Sequence, residues 1–543
     1  MVAILGLASN RGRNLRHIHR QRPGGAELAA VVSNHADAPI LDVAEDLGVP
    51  AVAVKRESGE DRFAHEQRIL SAVEDIDVDL VCLDGYMRIL SSTFLDAVPT
   101  TLNVHPSLLP AFPGSDAWSD ALDAGVSVTG CTVHIVTDAV DEDGGVIEDE
   151  IDAGPIVTQE PIPVYSDDTA ESLKERVLYE GEFKAYPRAV RWFAEGAIEI
   201  GEDGTVGVPS DTETAFPVRH VDTADRKTIL RYGENPHQDG ALYVDATVAE
   251  PNVVHADQVS GEKGMSYVNV IDAAGALDLV VEFDEPAAAV IKHANPAGCA
   301  TAGDLEEAYL RAHATDPMSA FGGIVALNRP CDTRTAERIV DTVKHVVVAP
   351  GYEQGVLEIL GERTDMRVLD VTNGDPRPIG PDDRTEPIVE RAITGGRLLQ
   401  DRDTYRLSTN DLEVVTERNP TESERQAMVF AWPVVKHATS NAIVLATDTE
   451  TVGLGIGQVS RVDAVRLAAR KADNHAEGKG ATGSVMASDA FFPFPDGIEA
   501  AAEAGIDAIV QPGGSKRDDQ VIAMAEEHGM AMAFTGTRAF RHE

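Results

Sequence analysis

The sequence is poor in positive charge, and especially in lysine. Its 46 Lys and Arg residues face 91 Asp and Glu residues, for a formal net charge of −45 over 543 residues, and only 11 of the basic residues are lysines. Such a surface repels nucleic acid and anionic membranes, so neither is expected as a partner. The Debye length falls to about 3 Å at 1 M salt, so salt makes this self-repulsion tolerable. We therefore favour a salt-loving host over an ordinary, moderately acidic cytosolic enzyme.

Cysteines and long apolar runs are also scarce. The four cysteines, at 82, 131, 299 and 331, have neither disulfide-framework nor zinc-type spacing, so we expect no metal site of that kind. No stretch approaches the roughly 20 apolar residues that span a bilayer. The N-terminal MVAILGLASNRGRN is typical of a first strand and a loop, not of a signal peptide. We expect a cytoplasmic protein.

The length and the alternation of apolar runs with helical patterns predict several α/β domains. Residues 1–198 are expected to form a doubly wound, mostly parallel sheet. A Gly-, Pro- and Asp-rich linker is expected at 199–226. Two further α/β blocks are expected at 227–370 and 388–543, separated by a polar connection at 371–387.

Three segments of the N-terminal block carry candidate chemistry. Ser9–Asn14 follows the first strand, where backbone N–H groups and a helix N-terminus can face an anion, although a tight turn without a ligand would look similar. Asn103–Pro110 contains prolines that fix a loop around an Asn and a His. Ile151–Pro155 places a carboxylate on a Gly-Pro turn.

These segments resemble glycinamide ribonucleotide (GAR) formyltransferase over the first 200 residues. The match runs through Gly12–Asn14, SNHADAP (33–39), GYMRILS (85–91), NVHPSLLP (103–110) and DAGPIVTQ (152–159). The sister families, methionyl-tRNA formyltransferase and formyltetrahydrofolate hydrolase, share the Asn, His and Asp. They differ around SLLP and typically lack this first loop, which favours the GAR family.

The resemblance implies that Asn103, His105 and Asp152 are catalytic. When an amine attacks the formyl carbon of 10-formyltetrahydrofolate, an oxyanion develops and a proton must leave the nitrogen. Asn103 and His105 can donate to the oxyanion, and Asp152 can take the proton or orient the imidazole. The resemblance also assigns a folate pocket to Met87, Arg88, Ile89 and Leu90, and a ribonucleotide site to Gly12, Arg13, Asn14 and Glu182.

Two departures from the family pattern bear on the catalytic carboxylate. Ser115–Trp118 replaces the usual basic or polar pair after the Pro-Gly, and an acidic insertion occupies 138–150. Asp143 within that insertion is a rival to Asp152. We prefer Asp152 because the residues that follow it continue the family pattern. The insertion lacks regular calcium-ligand spacing, so a solvated loop is expected.

The C-terminal blocks contain a longer series of motifs. A Lys-His pair beside a strand end is rarely structural, because a buried ammonium costs several kcal/mol unless it is paired. The aromatic-Pro cluster after Asp489 can form core or clamp a flat heterocycle. The segments are Arg231–Gln238, Lys292–Pro296, Asp316–Gly323, Gly453–Arg461, Ser488–Phe494 and Gln511–Ser515.

From about Lys227 to Glu543 these motifs resemble the transformylase domain that formylates aminoimidazole carboxamide ribonucleotide (AICAR). The resemblance implies two cytidine-deaminase-like α/β layers and a homodimer with sites at the subunit interface, and it implies no zinc. It assigns His293 as the base, Lys292 as proton donor or electrostatic stabiliser, and Asn441 as a holder of the formyl oxygen. Its substrate contacts are Arg231, Tyr232, Phe321, Gly322, Arg461, Asp489, Phe491, Arg538 and His542.

Taken together, the two resemblances imply a fused enzyme of purine synthesis with one folate-dependent formyltransferase in each half. The GAR-type block stands where the AICAR domain is usually preceded by an inosine monophosphate cyclohydrolase, so a separate cyclohydrolase is expected. Three alternatives remain for the N-terminal half: a formyltetrahydrofolate hydrolase, a formyltransferase for another amine, or a decayed folate-binding module. Formate with ATP in place of the folate donor also remains open.

The charge excess predicts salt dependence. Raising KCl from about 0.1 M to about 2 M should increase both the unfolding temperature and the activities of the full chain, because the counterions screen repulsion between carboxylates. Calorimetry and formyl-transfer assays across that range measure the effect. Indifference of folding and activity to salt would contradict the inference.

Overall fold

The computed structural model describes residues 2–141, 143–201, 205–207, 216, 220–221, 224–245 and 248–542. Much of the predicted linker at 199–226 therefore lies outside the described residues. The chain divides into two compact units, residues 1–219 and 220–543. None of the described helices has the length and apolar character of a membrane span.

The first unit is built on a seven-stranded sheet in the order β3-β2-β1-β4-β5-β6-β7. The five strands β3, β2, β1, β4 and β5 run parallel to one another. Strand β6 pairs antiparallel with β5, and β7 pairs antiparallel with β6. The predicted mostly parallel sheet is therefore confirmed. Its strands are β1 Ala3–Leu7, β2 Glu27–Ser33, β3 Ala51–Ala53, β4 Leu80–Leu83, β5 Thr101–His105, β6 Val128–Ile135 and β7 Ile156–Pro163, with a small pair, β8 Glu199–Ile200 and β9 Val206–Gly207.

Helices cover both faces of this sheet and bury its apolar side chains in two clusters. A π-helical turn at Val177–Glu182 joins the last two helices, and π turns of this kind are frequent at functional sites. The helices are α1 Arg13–Gln21, α2 Pro39–Leu47, α3 Arg62–Ala72, α4 Ser92–Leu95, α5 Ala117–Asp123, α6 Ala170–Arg176 and α7 Phe183–Ala194.

The strand order reverses between β1 and β4. In an open α/β sheet, ligands bind outside the carboxyl ends of the strands at such a point. The loop after β1, the residues after β4 and the end of β5 meet there, which brings together segments that are up to about 100 residues apart in sequence.

The second unit contains one twelve-stranded sheet in the order β12-β17-β16-β15-β13-β14-β22-β21-β23-β24-β25-β20. Strands from both predicted blocks join in this single sheet, through a pairing of β14 with β22 at Ala300 and Glu450. The sheet strands are β12 Asp257–Ser260, β13 Ala287–Lys292, β14 Asn295–Thr301, β15 Gly323–Leu327, β16 Lys344–Ala349, β17 Arg367–Asp370, β20 Glu413–Val414, β21 Ile443–Thr447, β22 Glu450–Gly455, β23 Val485–Ser488, β24 Ala508–Gln511 and β25 Ala531–Phe534.

Two hairpins lie apart from that sheet: β10 Asp225–Ile229 with β11 Ala241–Val244, and β18 Ile388–Ile393 with β19 Gly396–Asp401. Helix α13 is buried around most of its circumference, as expected of a helix packed on several sides. The helices are α8 Tyr267–Val280, α9 Leu305–His313, α10 Pro317–Ala320, α11 Thr333–Val340, α12 Val356–Leu360, α13 Glu422–Lys436, α14 Arg461–Asn474, α15 Asp496–Glu503 and α16 Asp518–Glu527.

Candidate active sites

The first candidate site contains a His-Asp pair in which the His is buried and the Asp is half-buried. His105 ends β5 and is 4% exposed. Its Nδ1 lies 3.2 Å from Asp152 Oδ2, and its Nε2 lies 2.8 Å from the carbonyl oxygen of Phe112. Both partners accept hydrogen bonds, so the ring satisfies both when both nitrogens carry protons. The arrangement therefore stabilises an imidazolium beside a carboxylate.

The electrostatics of the pair agree with this geometry. Burial alone would lower the pKa of His105, but the hydrogen bond and charge of Asp152 outweigh it and raise the pKa above its ordinary value. Burial would raise the pKa of Asp152, but the His105 imidazole outweighs it and holds that pKa well below its usual range. The N–H of Gly114 also donates to Asp152 Oδ2, at 3.2 Å.

A residue that the sequence analysis missed, His134, completes this cluster. In the antiparallel register of β5 and β6 it lies opposite Asn103, and its Nε2 is 3.1 Å from Asn103 Nδ2 and 3.6 Å from Asp152 Oδ1. The Nδ1 of His134 is 3.1 Å from a backbone carbonyl oxygen and therefore carries the proton. Its Nε2 then accepts from Asn103, and the second amide N–H of Asn103 has no acceptor among the described residues.

A cavity of about 80 Å³ adjoins the cluster and is lined by Arg88, Ile89, Leu90, Asn103 and Asp152. Three of the four predicted folate-pocket residues are thus brought to the catalytic set. The fourth, Met87, is 66% exposed and lines a neighbouring cavity instead.

The rival carboxylate, Asp143, lies in a turn that is held by hydrogen bonds between its own residues. The carboxylate of Asp141 accepts from the N–H groups of Asp143 and Gly145, and Val140 pairs with Val146. Asp143 is exposed and has no hydrogen bond to His105. The structure places Asp152, not Asp143, beside the imidazole.

The predicted ribonucleotide loop is held by a carboxylate that sequence reasoning also missed. Asp84, after β4, accepts from the backbone N–H groups of Asn14 and Leu15 in the first turn of α1. The amide of Asn14 bridges Asp84 Oδ1 at 3.1 Å and Glu182 Oε2 at 2.6 Å. Burial raises the pKa of Glu182 to about 7, and the charge of Asp84 adds to the rise. Gly12 has a φ of 55°, and a Cβ there would lie 2.2 Å from Ile40 Cδ1.

The second candidate site is built on the turn between β13 and β14. His293 and Ala294 both have positive φ, 53° and 58°, as a two-residue hairpin turn of the primed type requires. The buried carboxylate of Asp272 accepts from both of their backbone N–H groups, at 3.2 and 2.6 Å, which fixes the turn.

The Lys-His pair opens onto a cavity of about 420 Å³ that Ser319, Thr439 and Lys471 also line. Lys292 Nζ donates to the carbonyl oxygen of Phe321 at 2.6 Å. A cation and an exposed imidazole therefore share one concave surface, as general acid–base chemistry requires.

Asn441, Arg461 and Asp489 form a tight internal network. Asp489 is fully buried and is ion-paired with Arg461, which is 8% exposed. Arg461 Nη2 donates to Asn441 Oδ1 at 2.6 Å, and Asn441 Nδ2 donates to the carbonyl oxygen of Gln458 at 2.8 Å. The three predicted ligand contacts are thus brought together, but in this structure they satisfy one another.

The remaining predicted contacts are spread over the second unit. Arg231 and Tyr232 line a separate cavity of about 960 Å³, and His542 lines another of about 990 Å³. The guanidinium of Arg538 lies 4.5 Å from the ring centroid of Phe540. Phe321 is 61% exposed and Phe491 40% exposed, and Gly322 takes a φ of 69°. Apart from Phe321, whose carbonyl oxygen accepts from Lys292, and the adjoining Gly322, the described chain does not gather these residues at the Lys-His pair.

Two family models match successive parts of the chain. The model of the AICARFT/IMPCHase bienzyme family matches residues 199–471, and the formyl transferase model matches residues 2–190. Two relatives are proteins called bifunctional purine biosynthesis protein PurH. The one from Roseobacter denitrificans is 45% identical over 405 residues, 73% of this chain and 72% of the relative. The one from Magnetococcus marinus is 49% identical over 335 residues, 60% of this chain and 62% of the relative.

Solved structures match the first part of the chain. Glycinamide ribonucleotide transformylase 1 from Symbiobacterium toebii is 41% identical and covers 39% of this chain and 95% of its own, with a TM-score of 0.35. Phosphoribosylglycinamide formyltransferase from Brucella melitensis is also 41% identical and covers 36% of this chain and 95% of its own, with a TM-score of 0.31. The chain belongs to the AICARFT/IMPCHase bienzyme family, and it begins with a formyl transferase segment.

Proposed function

We propose that the chain is a bifunctional purine-biosynthesis enzyme that transfers the formyl group of 10-formyltetrahydrofolate to GAR at the first site and to AICAR at the second. The observation that carries the proposal is the first unit's cluster of Asn103, His134, Asp152 and His105 beside a cavity, in a segment that matches the formyl transferase family. The family membership of the second unit, with its Lys-His pair in a cavity, supports the second activity.

At the first site, different residues stabilise the oxyanion and accept the proton. The free amide N–H of Asn103 donates to the oxyanion that forms when the amine attacks, and the neighbouring imidazolium of His105 stabilises its charge. Asp152 accepts the proton that leaves the nitrogen, directly or through water, and holds the imidazolium in place. Because the cluster is buried, each of these charges acts more strongly than it would in water.

At the second site the amine is conjugated with its ring and is a poor nucleophile. His293 is exposed on the fixed turn and acts as the base, and Lys292 supplies a proton or a positive charge to the leaving folate nitrogen. In this assignment Asp272 acts through the turn: it positions both side chains and touches no substrate.

The second site is completed by a second subunit in this assignment. Three separate cavities of the second unit are lined by assigned residues: Arg231 and Tyr232 line one, His542 another and the Lys-His pair the third. The hairpin β18–β19 has nearly every residue exposed. An isolated two-stranded hairpin is marginally stable in water, so it needs a partner. We infer that the chain forms a homodimer through the second unit. We also propose domains at 1–198, 227–370 and 388–543. A separate protein would supply the cyclohydrolase.

The choice of carboxylate at the first site is testable by a matched pair of substitutions. Asp152→Asn should lower kcat for GAR formylation by about 10²-fold or more, because it removes the proton acceptor and the partner of His105. Asp143→Asn, the same change in the exposed turn, should leave kcat within about twofold. Steady-state assays of both variants decide the matter, and the reverse order of effects would overturn the assignment.

The pH dependence of the first site follows from the raised pKa of His105. The imidazolium persists above the ordinary pKa of a histidine, about 6.5, and is lost as pH rises through the raised value. GAR formylation should therefore decline on the alkaline side of that raised pKa. Any activity that remains in Asp152→Asn should decline at lower pH, because burial alone lowers the pKa. Identical alkaline limbs in rate–pH profiles of the two proteins would contradict the pairing.

His134 should act by orienting Asn103. His134→Leu removes the acceptor for the Asn103 amide, so kcat for GAR should fall by about tenfold or more while KM changes little. His134→Gln can restore an acceptor through its amide oxygen and should recover part of the loss. Equal losses in the two variants would indicate that the hydrogen bond is not what matters at this position.

The two activities should separate cleanly. His105→Ala should abolish GAR formylation and spare AICAR formylation, and Lys292→Ala should do the opposite, since the residues lie in different units. Both reactions are measured on the purified full chain with each variant. Release of formate without GAR dependence would favour a hydrolase, and GAR formylation that survives His105→Ala would make the first assignment wrong.

A further inference from the structure

The N-terminus of α1 is already occupied by a carboxylate of the chain itself. Asp84, which follows β4 and is 7% exposed, accepts from the backbone N–H groups of Asn14 at 2.8 Å and Leu15 at 3.3 Å. Its other oxygen accepts from the side-chain amide of Asn14 at 3.1 Å. An external anion at a helix N-terminus binds to these same first-turn N–H groups. Asp84 therefore holds the position that the sequence pattern predicts for a bound anion.

Other backbone donors of the loop after β1 are also bonded within the chain. The N–H of Gly12 donates to Asn10 Oδ1 at 3.1 Å, and the N–H of Ser9 donates to the carbonyl oxygen of Gly85 at 3.3 Å. A Cβ at Gly85 would lie 2.4 Å from Asn10 Nδ2, so the residue after Asp84 packs closely against the loop. These contacts fix the Asp84 carboxylate beside α1.

Without Asp84 this loop would attract anions strongly. Arg11 and Arg13 flank Gly12, and neither forms an ion pair with a carboxylate in the part of the chain that the structure describes. The guanidinium of Arg13 lies 5.9 Å from the ring centroid of Tyr179. The partial positive charge of the helix N-terminus adds to these two cations. Asp84 offsets a local excess of positive charge, although the chain as a whole has a net charge of −45.

The buried groups next to Asp84 are acceptors that lack a donor. Asn14 is 2% exposed and donates its amide to both Asp84 and Glu182, while its Oδ1 has no hydrogen-bond partner among the described residues. Burial raises the pKa of Glu182 to about 7, and the charge of Asp84 adds to the rise. An unpartnered acceptor beside two carboxylates suits a hydroxyl donor of a substrate and repels a free anion.

We propose that Asp84 is a specificity residue of the first site, which excludes free inorganic anions from the N-terminus of α1 and leaves the neighbouring acceptors open to hydroxyl donors of the substrate. The inference rests on the proposed first activity, in which this loop binds the ribonucleotide. Exclusion is useful to a chain whose charge predicts a salt-rich host, because concentrated anions compete for an open helix N-terminus. A ribonucleotide gains further contacts from its ribose and glycinamide, so it can bind without these N–H groups.

Calorimetric titration of the full chain with sulfate tests the exclusion directly. Asp84→Ala should bind sulfate about tenfold more tightly than the wild-type chain, because the helix N-terminus and its N–H groups become available. Asp84→Asn keeps the shape of the side chain but removes its charge, so it should show a smaller gain. Asp37→Asn, the same change at an exposed carboxylate before α2, is the matched control and should leave the affinity within about twofold, since an exposed charge is screened.

Any sulfate site in the second unit is the same in all four proteins, so differences between them report on the first unit. Sulfate affinity that is unchanged or lower in both Asp84 variants would overturn the inference. Asp84→Asn alone decides the matter if Asp84→Ala does not fold.

Inhibition kinetics connect the exclusion to catalysis. Sulfate should compete with GAR, and its inhibition constant should fall by about tenfold in Asp84→Ala, while its effect on AICAR formylation by the same chain stays as in wild type. Slower GAR formylation with no gain in sulfate inhibition would indicate a purely structural role and contradict the inference. If the variants bind sulfate more tightly but the wild-type chain does not formylate GAR, the exclusion by Asp84 stands and the proposed first activity fails.

Discussion

Burial of charge governs both candidate sites, because an ion removed from water must find a partner or lose its charge. Asp152 meets His105, and Asp489 meets Arg461. Other buried carboxylates bond to N–H groups instead, as Asp272 does to the backbone of the β13–β14 turn. Glu182 has no cation bonded to it among the described residues, and burial raises its pKa to about 7.

The same constraint gives the two sites different characters. In the first, the paired charges are themselves the proposed catalytic groups, so the interaction that stabilises the unit also prepares the chemistry. In the second, the buried pair of Arg461 and Asp489 does not line the Lys-His cavity, and Arg461 holds the side chain of Asn441. There the proposed catalytic groups, Lys292 and His293, are held by backbone hydrogen bonds and not by ion pairs.

Much of the fold could be predicted from local pattern. The helix at Arg13–Gln21 and the long helix at Glu422–Lys436 have clear signals, and alternating strands and helices predicted the parallel sheet. His134 could not be found in this way, because its role depends on lying opposite Asn103 across two strands that are 31 residues apart. Asp84 was missed for a similar reason, since it reaches the first turn of α1 from the next strand in the sheet. The ion pair between Arg461 and Asp489 likewise depends on tertiary packing, so it could not be predicted from the sequence.

The turn at His293 and Ala294 also limits how this part of the chain can vary. Side chains alternate between the faces of a sheet, so lengthening a two-residue turn changes the register of the strands beside it. One inserted residue would shift the pairing of Lys292 with Asn295. It would also separate the N–H groups of the turn from the carboxylate of Asp272. The length of this loop is therefore under the same constraint as the identity of its residues, and an insertion here should be as damaging as the loss of a side chain.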